Sequence, residues 1–98
     1  MTYDEAIRMS DVVLVEFYAT WCPHCKRMAP IVDQVKELLD GHANVVQLDI
    51  DRNQEAADAS EVSGVPTFIV YKEGREMWRH SGEIDGNDLL NKVESYIS

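Results

Sequence analysis

Ninety-eight residues, 45% hydrophobic and 28% charged, make one domain (1–98) able to bury a real core without metal or structural cross-links. Nine basic residues against eighteen acidic ones give a net charge of −9, which argues against nucleic acid or an anionic membrane as a partner. No apolar run approaches the ~18 residues of a membrane span, and the acidic start Met1-Thr2-Tyr3-Asp4-Glu5 lacks the basic and apolar regions of a signal peptide, so a cytoplasmic location is expected.

In chain order, Thr2-Tyr3-Asp4-Glu5 matches a capping box and predicts a short helix over about Tyr3 to Met9, broken at Ser10-Asp11. Val12 to Tyr18 is almost continuously apolar and rich in β-branched residues, the pattern of a strand covered on both faces. From Cys22 to about Asp40, Met28, Ile31, Val32, Val35, Leu38 and Leu39 recur at three-and-four spacing and predict a helix with one buried stripe. Pro23 suits its first turn, Pro30 should kink it and Gly41 should stop it. Val45 to Asp51 alternates Val46, Leu48 and Ile50 with polar residues, which completes a βαβ unit. A short helix around Gln54 to Ser60, a loop at 63–66 and a buried strand from Thr67 to Tyr71 follow. Lys72-Glu73-Gly74-Arg75 is a tight connection, so Glu76 to His80 should return antiparallel. Asp85 can cap a last helix whose inward stripe is Leu89, Leu90, Val93 and Ile97. The expected fold is α/β: a mixed sheet with helices on both faces and its reactive end beyond the parallel strands, where the turn from Tyr18 to Cys22 lies.

That turn carries the chain's only two cysteines, in Trp21-Cys22-Pro23-His24-Cys25-Lys26. A sulfur at a helix N-terminus meets unpartnered N–H groups and the positive end of the helix dipole, which favour the thiolate, the form that attacks disulfides. Residues three apart share a helix face, so Cys22 and Cys25 can close a small disulfide ring. In a reducing compartment such a pair points to redox chemistry or metal binding rather than a structural staple. A structural zinc wants four ligands; His24 cannot easily join both flanking sulfurs, and His42 and His80 show no ligand spacing, so no metal is expected.

Glu16 is the only charged residue in the first strand. Buried there, its carboxyl group would have a raised pKa and could take the proton of Cys25 through a water. His24, with two imidazole donors and a charge at low pH, would favour a nearby thiolate and make the couple more oxidising. Lys26 and Arg27 would raise the local positive potential, and Trp78 reads as hairpin packing.

Together these residues resemble the thioredoxin family over nearly the whole chain: Glu16-Phe17-Tyr18-Ala19-Thr20-Trp21-Cys22-Pro23-His24-Cys25-Lys26, the kink at Pro30, Asp49-Ile50-Asp51, Gly64-Val65-Pro66-Thr67 and Gly82. The departures are Pro23-His24, where thioredoxins usually carry Gly-Pro and strongly oxidising relatives carry Pro-His, and Glu16, where they usually have a buried Asp. Only Met1 precedes the capping box, so the family's first strand is expected to be missing, which would leave a four-stranded sheet and make Val45–Asp51 an edge, although a monomer is expected.

The resemblance implies a thiol–disulfide oxidoreductase with no bound cofactor beyond its own Cys22–Cys25 disulfide. Cys22 would be the exposed nucleophile and Cys25 the residue that resolves the mixed disulfide. It also implies a cis Val65–Pro66 bond facing the cysteines, with Trp21, Val65, Pro66 and Gly82 around a groove for extended substrate. Pro23-His24 implies a potential between about −270 mV for thioredoxin and about −120 mV for the strongest bacterial oxidant. In the cytosol the role would be reduction of protein disulfides, recharged by a thioredoxin-reductase-like donor. The alternatives are an oxidant or isomerase in an oxidising compartment, and a non-enzymatic metal carrier or binding module.

Overall fold

The computed structural model describes residues 1–97. Eight elements follow one another: α1 (Tyr3–Ala6), β1 (Val12–Tyr18), α2 (Pro23–Leu39), β2 (Asn44–Asp49), α3 (Gln54–Ala59), β3 (Thr67–Lys72), β4 (Arg75–Ser81) and α4 (Gly86–Glu94). The four strands form one sheet in the order β2-β1-β3-β4, with β1 and β2 parallel and the other pairs antiparallel. This is the expected mixed α/β sheet, and β2 lies on its edge.

Strand alternation sorts the core into two layers. Val12 and Leu14 of β1, with Phe68 and Val70 of β3, pack beneath α2 and α4, against Met28, Val32, Val35, Leu39, Leu89 and Val93. Val13, Val15 and Phe17, with Ile69 and Tyr71, face the opposite side and meet Ile7 and Ala57. Glu16 has the parity of Val12 and Leu14, so its carboxylate is directed into the α2 layer.

Local signals act where the sequence puts them. The Thr2 hydroxyl accepts from Glu5 N–H, and the Glu5 carboxylate accepts from Thr2 N–H. Asp85 caps α4 by accepting from the N–H groups of Asn87 and Asp88. Gly41, at φ 82°, turns the chain out of α2, and Glu73 and Gly74, both at positive φ, make the tight β3–β4 connection. Pro30 sits inside α2, which continues past it to Leu39.

Three expectations need correction. The first helix ends at Ala6 rather than Met9, because Arg8 and Met9 bond only three residues back and the chain then turns into β1. The edge strand closes at Asp49, where the Asp49 carboxylate accepts from Asp51 N–H and bends the chain into a turn. Leu38, placed in the buried stripe of α2, is 62% exposed. The face set by Met28, Val32, Val35 and Leu39 is satisfied one position along, and a residue adjacent to Leu39 lies about 100° around the helix.

Candidate active site

The Tyr18–Cys22 turn leaves the C-terminal end of β1 and delivers the cysteines to the first turn of α2. Cys22 is the N-cap of this 17-residue helix, with φ −86° and ψ 119°, and Pro23 stands at its first position. Cys25 follows one turn later. Both are free thiols, packed with Ala19 in a small cluster that Tyr18, Ile50 and Val65 complete. Cys22 was expected to be exposed; it is only 4% accessible, against 5% for Cys25. The reason is the loop opposite: the Cys22 thiol points at Val65 and donates to its carbonyl oxygen at 3.6 Å. The Cys22 sulfur lies under the Val65 loop rather than on an open surface.

The two thiols nonetheless differ sharply in acidity. The Cys22 thiol is pulled below its ordinary value, first by the backbone N–H of Cys25; burial opposes this, and the Cys25 thiol, the His24 N–H and the Arg27 charge assist. Cys25 is pushed up to about 11 by burial, with the Cys22 sulfur and the Glu16 charge adding to the shift and the Ala19 backbone opposing it. One thiol is therefore prepared to attack as thiolate, and the other needs a base.

Glu16, whose charge acts on Cys25, is the candidate for that base. It is 2% exposed and accepts a hydrogen bond from Gln47 Nε2 at 3.0 Å, the neighbouring strand's residue in register with it. Burial raises its pKa, with the Gln47 bond opposing and the Asp33 charge adding. Gln47 was read only as a polar edge residue; its register with Glu16 becomes visible once β1 and β2 are paired.

Val65–Pro66 is cis, as the resemblance implied, and the Pro66 carbonyl accepts from Gly82 N–H at 2.8 Å. Thr67 steadies the same loop through its hydroxyl, which donates to Gly64 O at 2.6 Å. Gly82 has φ 96°, and a Cβ there would meet open space, so backbone conformation is what asks for glycine. Trp21 is 61% exposed, and its indole N–H donates to Asp51 Oδ2 at 2.9 Å. Trp21, Ile50, Asp51, Asp58, Gly64 and Val65 line an open groove of about 490 Å³ next to Cys22. Trp21 and Val65 thus stand around the cysteines at one end of the sheet, and Gly82 joins the Val65–Pro66 loop through Pro66.

His24 behaves differently from expectation. Its Nδ1 lies 2.6 Å from Glu83 Oε2, and the same oxygen receives Arg27 Nη2 at 2.8 Å and Arg27 Nε at 3.0 Å. The Cys22 thiolate is favoured chiefly by the backbone N–H of Cys25, with the Cys25 thiol, the backbone N–H of His24 and the charge of Arg27 assisting, and not by the His24 ring. Glu83 was missed altogether. Its only sequence signal is its place directly after Gly82. Trp78 is packed on the core and stacks with His80 at 6.0 Å between centroids, as hairpin packing requires.

The thioredoxin family model matches residues 1–95. The chain belongs to the thioredoxin family. It is 44% identical over 95 residues to thioredoxin of Staphylococcus haemolyticus, covering 97% of this chain and 90% of that one. To the chloroplastic thioredoxin Y of Oryza sativa it is 37% identical over 97 residues, 98% of this chain but 58% of that protein. It therefore spans a little over half the length of the chloroplastic relatives. Among solved thioredoxins, a mutant form from Halobacterium salinarum superposes with a TM-score of 0.88 at 37% identity, covering 97% of this chain and 82% of that one. Mitochondrial thioredoxin 3 of Saccharomyces cerevisiae gives 0.85 at 27% identity, with 95% and 86% covered. Thioredoxins are thiol–disulfide oxidoreductases. Among the described residues, no three His, Cys, Asp or Glu side chains converge as metal ligands, and no helix is long and apolar enough to cross a membrane.

Proposed function

We propose that this chain reduces protein disulfides through a reversible Cys22–Cys25 dithiol/disulfide couple, working in the cytoplasm as a monomer and recharged by a thioredoxin-reductase-like donor. The observation that carries the reading is the split acidity of the two thiols across one helical turn, with a buried carboxyl group beneath them. The Cys22 thiolate attacks one sulfur of a substrate disulfide, forms the mixed disulfide and releases the first substrate thiolate. Cys25 then loses its proton through a water to Glu16 and attacks the Cys22 sulfur, which expels the second substrate thiolate and leaves the Cys22–Cys25 disulfide. Two electrons pass to the substrate, and the protein's own sulfurs carry them without another cofactor.

Substrate lies in the groove between Trp21 and the Val65–Pro66 loop, where its backbone can run beside Val65 and displace the weak thiol–carbonyl bond over Cys22. The chloroplast named for the Oryza relative is the alternative compartment, and Pro23-His24 favours a couple less reducing than thioredoxin.

The test is insulin-disulfide reduction by the wild type, Cys22→Ser, Cys25→Ser and Glu16→Gln. Cys22→Ser should lose activity entirely, and Cys25→Ser should accumulate the mixed disulfide. Glu16→Gln should keep fast attack by Cys22 while resolution slows by about 100-fold, the lower end of what a lost general base costs. Turnover by Cys22→Ser at the wild-type rate would refute the mechanism. A redox-inert wild type that copurifies with zinc or copper would favour a metal carrier instead.

A further inference from the structure

The first turn of α2 is tied to a distant loop by one carboxylate. Glu83, in the loop between β4 and α4, reaches His24 and Arg27 from 59 and 56 residues away in sequence. Three contacts of 2.6 to 3.0 Å converge on its Oε2. At 2.6 Å two bare acceptors would repel, so the proton lies on His24 Nδ1, which donates to Glu83. Arg27 Nη2 is also 2.8 Å from that nitrogen, and with the proton so placed both donors aim at the same oxygen. The convergence holds the Glu83 carboxyl at about 2, the Arg27 bonds contributing most and His24 next. Its loop is itself anchored: Gly82 N–H donates to Pro66 O at 2.8 Å, and His80 Nε2 donates to Glu83 O at 3.1 Å.

We propose that Glu83 is a positioning residue for His24 and a counter-charge for Arg27, which limits how far the Arg27 charge stabilises the Cys22 thiolate and so keeps the Cys22–Cys25 couple more reducing than it would be without that carboxylate. The inference rests on the reading that the two cysteines cycle. Thiolate-stabilising charge favours the reduced pair and raises the potential; a neighbouring anion does the reverse. The charged and titratable groups around Cys22 are His24, Cys25 and Arg27 on α2, Glu16 beneath on β1, Asp51 held by Trp21, and Glu83. Of these, Glu83 alone binds both Arg27 and His24.

The measurement is equilibrium with glutathione at a pH where Cys22 is ionised. There the Cys22 thiolate and Cys25 thiol give two electrons to glutathione disulfide. The Cys22–Cys25 bond forms as the glutathione bond breaks, leaving one glutathione thiol and one thiolate. Cys22 ionisation is followed in parallel by thiolate absorbance. Glu83→Gln should lower the equilibrium constant for oxidation by about fivefold, equivalent to ~20 mV toward oxidising, and should lower the Cys22 pKa. Arg27→Gln should shift both readouts the other way. Arg27→Gln/Glu83→Gln removes one charge of each sign and should return within about twofold of the wild type. A Glu83→Gln protein with unchanged potential and Cys22 pKa, or a double variant that keeps the full shift, overturns the inference while leaving the enzyme reading intact. A wild type that never forms the Cys22–Cys25 disulfide overturns both.

Discussion

Glu16 shows most clearly how one residue couples stability to chemistry. An acid buried in an apolar layer prefers its neutral form, and its folded pKa lies above the ordinary value of about 4.3. Its contribution is therefore favourable below that ordinary value and is lost as pH rises through the raised folded pKa, because the unfolded chain ionises first. Glu16→Gln retains an oxygen to accept from Gln47 and never ionises. The variant should match the wild-type melting temperature near pH 4 and exceed it by a few degrees near pH 8, ~1 kcal/mol being worth ~4–8 °C in a domain of this size. Thermal melts across that pH range provide the check, and a difference that does not vary with pH would refute the assignment. The raised pKa that would suit Glu16 to the proposed role of base is also what burdens stability. From sequence, Glu16 stood out as a charge in an apolar strand, and Cys22 and Cys25 by spacing. The burial of Cys22 did not, because the cover is the Val65 carbonyl from a loop 43 residues away. Glu83 was hidden for the same reason: its partners come together only after the sheet has folded.

At the level of elements, legibility followed the range of the interaction. Caps and turns whose partners lie within four residues were readable: Thr2 with Glu5, Asp85 with Asn87 and Asp88, and the Glu73-Gly74 connection. Exact ends were not, since α1 finishes where Arg8 and Met9 switch to bonds three residues back and β2 where the Asp49 side chain redirects the backbone. Helix α4 depends on its cap more than α2 does, having nine residues against seventeen. It supplies Leu89 and Val93, both fully buried, to the layer that holds Glu16, and the loop before it carries Glu83. Asp85→Ala leaves two N–H groups without their acceptor and should cost about 1 kcal/mol, seen as ~4–8 °C in melting temperature. Asp85→Asn should recover most of the loss, because an amide oxygen accepts equally well at that position. An Asp85→Ala protein as stable as the wild type would show that packing of Leu89 and Val93 alone holds the helix.

At the scale of the whole molecule, the fold explains why a short chain can present so much chemistry at one end: parallel β1 and β2 finish beside the α2 N-terminus, and the β3 and β4 ends bring Pro66 and Gly82 to meet them. The mixed sheet followed from the alternation of elements, but the polarity of the surface around the site did not follow from net charge alone. Arg27 is neutralised by Glu83, whereas Asp51 and Asp58 line the groove on the Trp21 side. With a net charge of −9 behind them, these carboxylates should draw in disulfides flanked by basic residues. Matched disulfide peptides carrying Lys or Glu beside the cystine separate this field from the chemistry, since Cys22 attacks the same bond in each. At low ionic strength the Lys peptide should be reduced with a kcat/KM about tenfold higher. The gap should close toward 1 M salt, where the screening length falls to about 3 Å. Because the steering acts on encounter, it should appear in kcat/KM and leave kcat unmoved. A preference that persists at high salt would instead place the discrimination in direct contacts within the groove, and Asp58→Asn would then be the variant that removes it.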